Sequence, residues 1–185
     1  LLEAHRGQLD EREGRLVSSL ANQARRLRRI LLDLLEISSV TAAAPVQREA
    51  TELVALIAAV LEQGNLPPDL LHGDKPIVVT DARRVERVVS NLIDNAGRHA
   101  SGVRQILVVE SPNGVEVHVD DAGAGIPAEQ APRLFEPFAR GDTKTRDGAG
   151  LGLTIARDQA AAIGASLTVT DSPFGGARFT LGLPA

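Results

Sequence analysis

Cysteine, tryptophan and tyrosine are absent from the 185-residue chain, and phenylalanine occurs only four times. Without cysteine the chain can form no disulfide bond, no thiolate nucleophile and no cysteine-ligated zinc site. The shortage of aromatic rings leaves few surfaces on which unpaired nucleobases could stack. The net charge of −4 gives no general attraction to nucleic acid, so we expect no nucleic-acid partner.

Long apolar runs are missing as well. No run approaches the roughly 18 residues that a membrane-spanning helix needs. Charged residues begin at Glu3, which is untypical of a signal peptide. Because Leu1 is not a natural start residue, we expect the chain to be part of a longer protein, with any membrane anchor upstream.

The N-terminal region has the pattern of one long helix over residues 11–39. Apolar residues there follow an alternating four- and three-residue spacing that Gln23 alone interrupts, and such a heptad seam requires a partner helix. The seam consists of Leu16, Leu20, Leu27, Ile30, Leu34 and Ile37. Residues 1–6 resemble the end of an earlier helix and Gly7–Asp10 a turn. We therefore predict part of a helical hairpin over residues 1–40, followed by an Ala/Pro linker at 41–45.

Residues 46–185 mix helix and strand patterns, and two turn signals, Asn113-Gly114 and Gly175-Gly176, mark hairpins. Antiparallel strands on one side and helices on the other predict an α/β fold, specifically a two-layer α/β sandwich. The predicted strands are 46–50, 77–80, 106–110, 115–119, 166–170 and 178–183. The predicted helices are 51–63, capped by Thr51, 82–99, capped by Asp81, and 150–163.

The segment NLIDNA places Asn91 and Asn95 on one helix face, because they are four residues apart. Amide oxygens suit Mg²⁺, which takes few protein ligands and completes its octahedron with water and phosphate oxygens. We assign Asn95 as the metal ligand, and Arg98 can pair with phosphate. A structural asparagine pair is the alternative, and the loops downstream argue against it.

The segment DDAGAGIP follows a predicted strand that ends beside Asp121. A carboxylate there can accept a hydrogen bond from the amino group of adenine, whereas guanine would present a carbonyl oxygen. Gly123 and Gly125 allow the backbone to turn and to approach the base. An ordinary Asp-Gly turn is the alternative, and we expect Asp120 to be exposed.

The segment GAGLGL opens the last predicted helix, where free backbone amides form an anion site. Gly148, Gly150 and Gly152 are the positions expected to face phosphate. The motif is not a Walker loop, because it lacks the Gly-Lys-Ser/Thr sequence. A simple loop hinge is the alternative.

Between the two glycine loops, Phe135 and Phe138 are spaced as a small apolar anchor. The polar residues that follow predict a mobile lid. Arg140, Lys144 and Arg146 are candidates for reaching the terminal phosphates, with simple solvation as the alternative for each.

In this order, the segments NLIDNA, DDAGAGIP, LFEPF, GAGLGL and GGARFTL resemble the catalytic ATP-binding domain of bacterial sensor histidine kinases, in the GHKL superfamily. The match covers about residues 45–185, and the helix at 11–39 resembles the second helix of that family's dimerisation and phosphotransfer hairpin. The resemblance implies ATP and Mg²⁺ as ligands, a response regulator as partner and a homodimer formed through the hairpin. It also implies the cytoplasmic part of a membrane-bound sensor, with the membrane reached only through upstream segments.

The resemblance also implies a set of nucleotide-contacting residues, of which the first three are the catalytic candidates. The set is Asn91, Asn95, Arg98, His99, Asp121, Gly123, Gly125, Ile126, Phe138, Arg140, Gly148, Ala149, Gly150, Leu151, Gly152 and Leu153. In hydrolysing members of the superfamily a glutamate stands four residues before the metal-binding asparagine. Asn91 occupies that position here, and an amide cannot act as a general base, which favours a kinase.

A phosphoacceptor histidine is not found in the expected context. His5, in the sequence HRGQLD, does not fit the family's motif, so we expect the acceptor upstream of Leu1. The alternatives are a GHKL-fold ATPase, an anti-sigma-type serine kinase, and a nucleotide-sensing module without chemistry.

Overall fold

The computed structural model describes residues 14, 16, 17, 19, 20, 23, 45–127, 129–137 and 150–185. Within residues 45–185 these ranges contain seven strands and three α-helices. The strands are β1 (Glu49–Glu52), β2 (Leu71–Gly73), β3 (Ile77–Thr80), β4 (Val103–Ser111), β5 (Gly114–Asp121), β6 (Ser166–Asp171) and β7 (Ala177–Pro184). The helices are α1 (Leu53–Gln63), α2 (Ala82–His99) and α3 (Gly152–Ala162).

The larger of two sheets has the strand order β2-β4-β5-β7-β6. Its neighbours are antiparallel except for β2, which runs parallel to β4. β1 and β3 form a separate antiparallel pair, with Glu49 opposite Thr80. The ends of β5 and β7 therefore lie side by side in the larger sheet, where the first glycine loop begins.

One core joins the inner face of the larger sheet to the three helices. Side chains alternate along a strand, so the valines of β5 face the core while Asp120 lies on the opposite face. In α2 the buried residues recur at three- and four-residue spacing, as an amphipathic helix requires. They are Val85, Val88, Val89, Leu92 and Ala96. Both asparagines of α2 lie outside this buried stripe.

The predicted α/β sandwich is confirmed. β3 covers Ile77–Thr80 as predicted, α2 ends at His99, and β6 pairs antiparallel with β7. The Asn113-Gly114 signal is confirmed as the hairpin between β4 and β5, and Gly114 adopts a φ of 136° that favours glycine.

Several predicted boundaries and caps were wrong. Thr51 is a residue of β1, and its hydroxyl donates to the carbonyl of Glu49 (3.2 Å) instead of capping α1. Asp81 stands at the N-cap position of α2, but its side chain makes no capping hydrogen bond. Its Oδ2 instead accepts from the amide of Gln47 (2.9 Å), which ties the segment before β1 to α2.

Strand β2 and the start of α3 also differ from the sequence-based expectation. β2 contains only Leu-His-Gly, which is too short to show an alternating pattern. α3 begins at Gly152 and not at Gly150, with Leu151 at the N-cap position.

The six described residues before Pro45 are all helical, in agreement with a helix over residues 11–39. The rest of that helix, the turn at 7–10 and residues 41–44 lie outside the described residues, so the hairpin and linker boundaries stay predictions. Leu16 and Leu20, two members of the seam, are 58% and 64% exposed. No helix among the described residues is both long and apolar enough to span a bilayer.

Candidate functional site

Asn91 and Asn95 lie one turn apart near the end of α2, and both are partly exposed. The Nδ2 of Asn91 donates to the carbonyl of Arg87, 3.0 Å away. The Oδ1 of Asn91 faces the start of α3, since a β-carbon added to Gly152 would lie 3.4 Å from it. The fold therefore brings the asparagine segment and the second glycine loop together.

Arg98, the third catalytic candidate, lies on the last turn of α2. Its Nη2 donates to Oδ2 of Asp94 at 2.7 Å, and the two side chains are 27% and 65% exposed. An exposed pair at this spacing contributes only about 0.3–0.5 kcal/mol. A phosphate group can therefore replace Asp94 as the partner of Arg98 at little cost.

His99 is the last residue of α2. Partial burial and the adjacent charge of Arg98 lower the pKa of His99 below its usual value. The uncharged form of the ring is therefore favoured in this structure.

Asp121 is the last residue of β5 and is only 6% exposed. Its Oδ1 accepts two backbone hydrogen bonds, from Gly123 and Ala177, both of 2.9 Å. No described residue donates to its Oδ2. One carboxylate oxygen is thus fixed by the protein backbone, and the other is left to accept a hydrogen bond from a ligand.

Two glycines pack closely around this carboxylate. A β-carbon on Gly123 would lie 3.0 Å from the β-carbon of Ala100, just beyond α2. A β-carbon on Gly176 would lie 2.2 Å from Oδ1 of Asp121 and 2.4 Å from its carbonyl oxygen. The contact at Gly176 is closer than packed atoms allow, and the contact at Gly123 is tighter than most, so the first glycine loop closes tightly on α2 and on the turn before β7.

The prediction that Asp120 is exposed was wrong. Its side chain is 0% exposed, and Arg178 donates to it through Nε (2.8 Å to Oδ1) and Nη2 (2.7 Å to Oδ2). The two residues lie directly opposite each other on β5 and β7. The partner is 58 residues away in the sequence, so it could be found only by predicting which strands are neighbours.

Gly176, Ala177 and Arg178 are the site residues that sequence reasoning missed. The Gly175-Gly176 pair predicted a hairpin turn, which is correct, but it gave no sign of contact with Asp121. A useful signal was the opposite charge of Asp120 and Arg178 on two predicted strands.

The second glycine loop is described from Gly150 onward, and Gly150 adopts a φ of 70°. Leu151 is 1% exposed, so its side chain belongs to the core and only its backbone can face a ligand. The side chains of Leu153 and of Ile126, in the first loop, also pack partly against the core. Buried Thr154 donates through its hydroxyl to the carbonyl of Phe135 (3.1 Å), which joins α3 to the phenylalanine segment.

Part of the predicted site lies outside the described residues. This part comprises Phe138, Arg140, Lys144, Arg146, Gly148 and Ala149, whose assignments stay predictions. Gly125, with a φ of 77°, is described and lies beside the Gly175-Gly176 turn.

The amide oxygens of Asn91 and Asn95 on α2, near the start of α3, suit a hard cation such as Mg²⁺ that takes few protein ligands. The parts of the chain that the structure describes contain no cluster of three or more His, Cys, Asp or Glu side chains able to hold a metal. A carboxylate or histidine cage is therefore not built there. The amide oxygen of partly exposed Asn95 fits Mg²⁺ that keeps most of its ligands as water and phosphate oxygens.

The sequence matches the family of histidine kinase-, DNA gyrase B- and HSP90-like ATPases over residues 80–185. It is 41% identical over 121 residues to the sensor-type histidine kinase PrrB of Mycobacterium tuberculosis, and the aligned region covers 65% of this chain and 27% of PrrB. It is 33% identical over 187 residues to the alginate biosynthesis sensor protein KinB of Pseudomonas aeruginosa, and the aligned region covers 95% of this chain and 31% of KinB. The chain thus spans less than a third of the length of these relatives.

The fold is also similar to that of a solved structure, the ATP binding domain of PrrB from Mycobacterium tuberculosis. The TM-score is 0.59 at 29% sequence identity, over 75% of this chain and 97% of that domain. The similarity therefore includes nearly the whole of the solved domain.

Proposed function

This chain belongs to the family of histidine kinase-, DNA gyrase B- and HSP90-like ATPases, and we propose that residues 46–185 are the ATP-binding catalytic domain of a sensor histidine kinase. The observation that carries the proposal is the buried Asp121 carboxylate. Two backbone amides hold one of its oxygens between the two glycine-containing turns, beside the end of α2.

Asp121 selects the base. Its Oδ2 accepts a hydrogen bond from the amino group of adenine, while guanine would place a carbonyl oxygen against it. Two facing acceptors leave a buried polar group unpaired, which costs about 1–3 kcal/mol. The site therefore prefers ATP to GTP.

Asn95, Arg98 and the N-terminal turn of α3 bind the phosphates. The free amides at the start of α3 attract anionic oxygens. Arg98 exchanges Asp94 for a phosphate oxygen, and Asn95 is the protein ligand for Mg²⁺. Bound there, Mg²⁺ would neutralise negative charge on the β- and γ-phosphates.

Asn91 argues against hydrolysis as the main reaction. Its Nδ2 donates to the carbonyl of Arg87, and an amide has no basicity with which to activate water. The γ-phosphoryl group is instead transferred to a histidine. A P–N bond forms as the bond between the γ-phosphorus and the β,γ-bridging oxygen breaks, and ADP leaves. Positioning and charge neutralisation supply the catalysis.

The acceptor histidine, the homodimer formed through the helical hairpin and the relay to a response-regulator aspartate belong to the full-length protein. We place this domain on the cytoplasmic side of a membrane-bound sensor. Similarity to PrrB and KinB, a sensor-type histidine kinase and a sensor protein, supports the assignment to a sensor kinase.

The test is transfer of labelled phosphate in trans. The chain is mixed with a separately prepared hairpin that carries the acceptor histidine, together with Mg²⁺ and ATP labelled at the γ-phosphate. We expect the hairpin to gain an acid-labile label, and Asp121→Asn to lose most of the transfer. A hairpin without its histidine serves as the control.

Free phosphate in place of labelled hairpin would contradict the proposal and identify an ATPase. Label on a serine of an added protein, stable to acid, would identify a serine kinase. Tight ATP binding with neither product would identify a nucleotide-sensing module.

A further inference from the structure

Two consecutive carboxylates at the end of β5 serve opposite faces of the sheet. Asp121 faces the proposed base pocket, and Asp120 faces the other side. Their partners are consecutive as well, on β7. The amide of Ala177 holds Asp121, and the guanidinium of Arg178 holds Asp120.

We propose that the Asp120–Arg178 ion pair is a positioning element for adenine selectivity, because it fixes the end of β7 that presents the Ala177 amide to Asp121. The inference rests on the proposed function of Asp121. Neither Asp120 nor Arg178 touches the nucleotide in this arrangement.

The strand register supports this role. Asp120 opposite Arg178 is the final pair between β5 and β7 on the side of the site. One residue further, Ala177 pairs with Asp171 on β6, and its amide donates to the Asp121 side chain on β5. Between β5 and β7, the ion pair is thus the last contact before the hydrogen bond that orients the base-binding carboxylate.

β4, which lies on the side of β5 away from β7, pairs less regularly with the end of β5. β4 pairs Gln105 with Asp120 and Val103 with Asp121, so Arg104 is an extra residue in the ladder. A bulge of this kind disrupts the local hydrogen-bond ladder. Asp121 pairs with Val103 beyond this bulge, whereas the hydrogen bond that a neighbouring strand donates to its carboxylate comes from Ala177 on β7.

The geometry of the ion pair suits positioning. Asp120 is fully buried, and Arg178 makes two nearly parallel hydrogen bonds to it. A bidentate pair fixes orientation as well as distance. A lysine at the same place would keep the charge but could not make two parallel hydrogen bonds to the carboxylate.

The experiment measures the affinity of the whole chain for ATP and for GTP by calorimetry. Arg178→Lys should lower the ATP-to-GTP affinity ratio by roughly three- to ten-fold, the size of effect of one weakened hydrogen bond. Thr180→Val is the matched control, because Thr180 lies on the same face of β7 and only loses its contact with His118. This control should leave the ratio unchanged.

A double variant, Asp120→Leu with Arg178→Met, covers the case in which a lone replacement fails to fold. Hydrophobic pairs can replace buried ion pairs without loss of stability. We expect this double variant to fold. Its ATP-to-GTP affinity ratio should fall as in Arg178→Lys, because apolar contacts do not set the orientation of the end of β7. Amide hydrogen exchange at Ala177 should accelerate in both variants relative to exchange at Leu181.

An unchanged ratio in the folded variants, or an equal fall in Thr180→Val, would overturn the positioning role. The result for Asp121→Asn separates this outcome from failure of the proposed function. If that variant keeps the ATP-to-GTP ratio of the unmodified chain, Asp121 does not select the base and the proposed function itself fails. If it lowers the ratio and the Arg178 variants do not, only the positioning inference fails.

Discussion

The two ends of the proposed site are held in different ways. At the base end, buried Asp121 receives two backbone hydrogen bonds and fits against Gly176 without room for another atom. At the phosphate end, Asn95 is partly exposed, and Arg98 forms a surface ion pair with Asp94. The base end is built in advance, and the phosphate end uses side chains that can change partners.

The proposed function accounts for this difference. An adenine ring has one pattern of donors and acceptors, so a fixed carboxylate discriminates without having to rearrange. Phosphates and Mg²⁺ must be bound, brought to an acceptor and released. Weak, exposed contacts allow that exchange, because replacing them costs little free energy.

The largest effect should come from Asp121→Asn, which replaces an acceptor by an amide at the base end. We expect ATP binding to weaken by about 2–3 kcal/mol, roughly 30- to 150-fold, as for a hydrogen bond to a charged group. Calorimetric titration measures the loss. Asp69→Asn, an exposed change outside the site, is the control, and equal losses in both variants would refute the assignment of Asp121.

Gly176→Ala should damage the base end through packing. Its β-carbon would meet both the side chain and the backbone of Asp121, so we expect a loss of about 1–3 kcal/mol in the free energy of unfolding. Gly97→Ala is the matched contrast, since no described heavy atom outside its chain neighbours and its own helix backbone lies within 4 Å of the added carbon. Gly97 lies in the last turn of α2, where alanine should raise the free energy of unfolding by up to about 1 kcal/mol. Denaturant titration of both variants decides whether the predicted opposite signs occur.

Asn95→Ala tests the phosphate end and should affect the metal more than the fold. We expect ATP affinity in Mg²⁺ to fall to the value measured with EDTA, while the midpoint of thermal unfolding stays the same. Gln63→Ala, on α1, should retain the full Mg²⁺ dependence. If Asn95→Ala also keeps the Mg²⁺ dependence of ATP affinity, the assignment of Asn95 as the metal ligand is wrong.

The smallest effect should come from Asp94→Ala, which releases Arg98. Stability should change by at most about 0.5 kcal/mol, as for other exposed pairs at this spacing. ATP affinity should stay the same or rise slightly, because Arg98 no longer has to leave a partner. A loss of stability well above 1 kcal/mol would show that the phosphate end is built as firmly as the base end.

Local patterns were sufficient to predict the elements that are long and regular. β3 and α2 were placed to within a residue because β3 is a run of β-branched residues and the apolar residues of α2 repeat with the period of a helix. β2 was missed because three residues carry no period, and its pairing with β4 depends on the whole sheet.

The errors at single residues have a shared cause. Asp120 precedes a glycine loop and has the sequence context of a solvated turn, and Thr51 has that of a helix cap. In the fold, β5 continues through both aspartates and β1 continues through Thr51, so the extended backbone decides their surroundings. The burial of Asp120 further requires Arg178, which only the pairing of β5 with β7 brings near.

The close approach of Gly176 to Asp121 also limits which sequences this fold can accept. Part of the contact is with the carbonyl oxygen of Asp121, which every amino acid at that position would retain. A smaller side chain at position 121 therefore cannot make room for a larger one at position 176. In a library that randomises both positions together, glycine should dominate at 176 whatever residue is selected at 121.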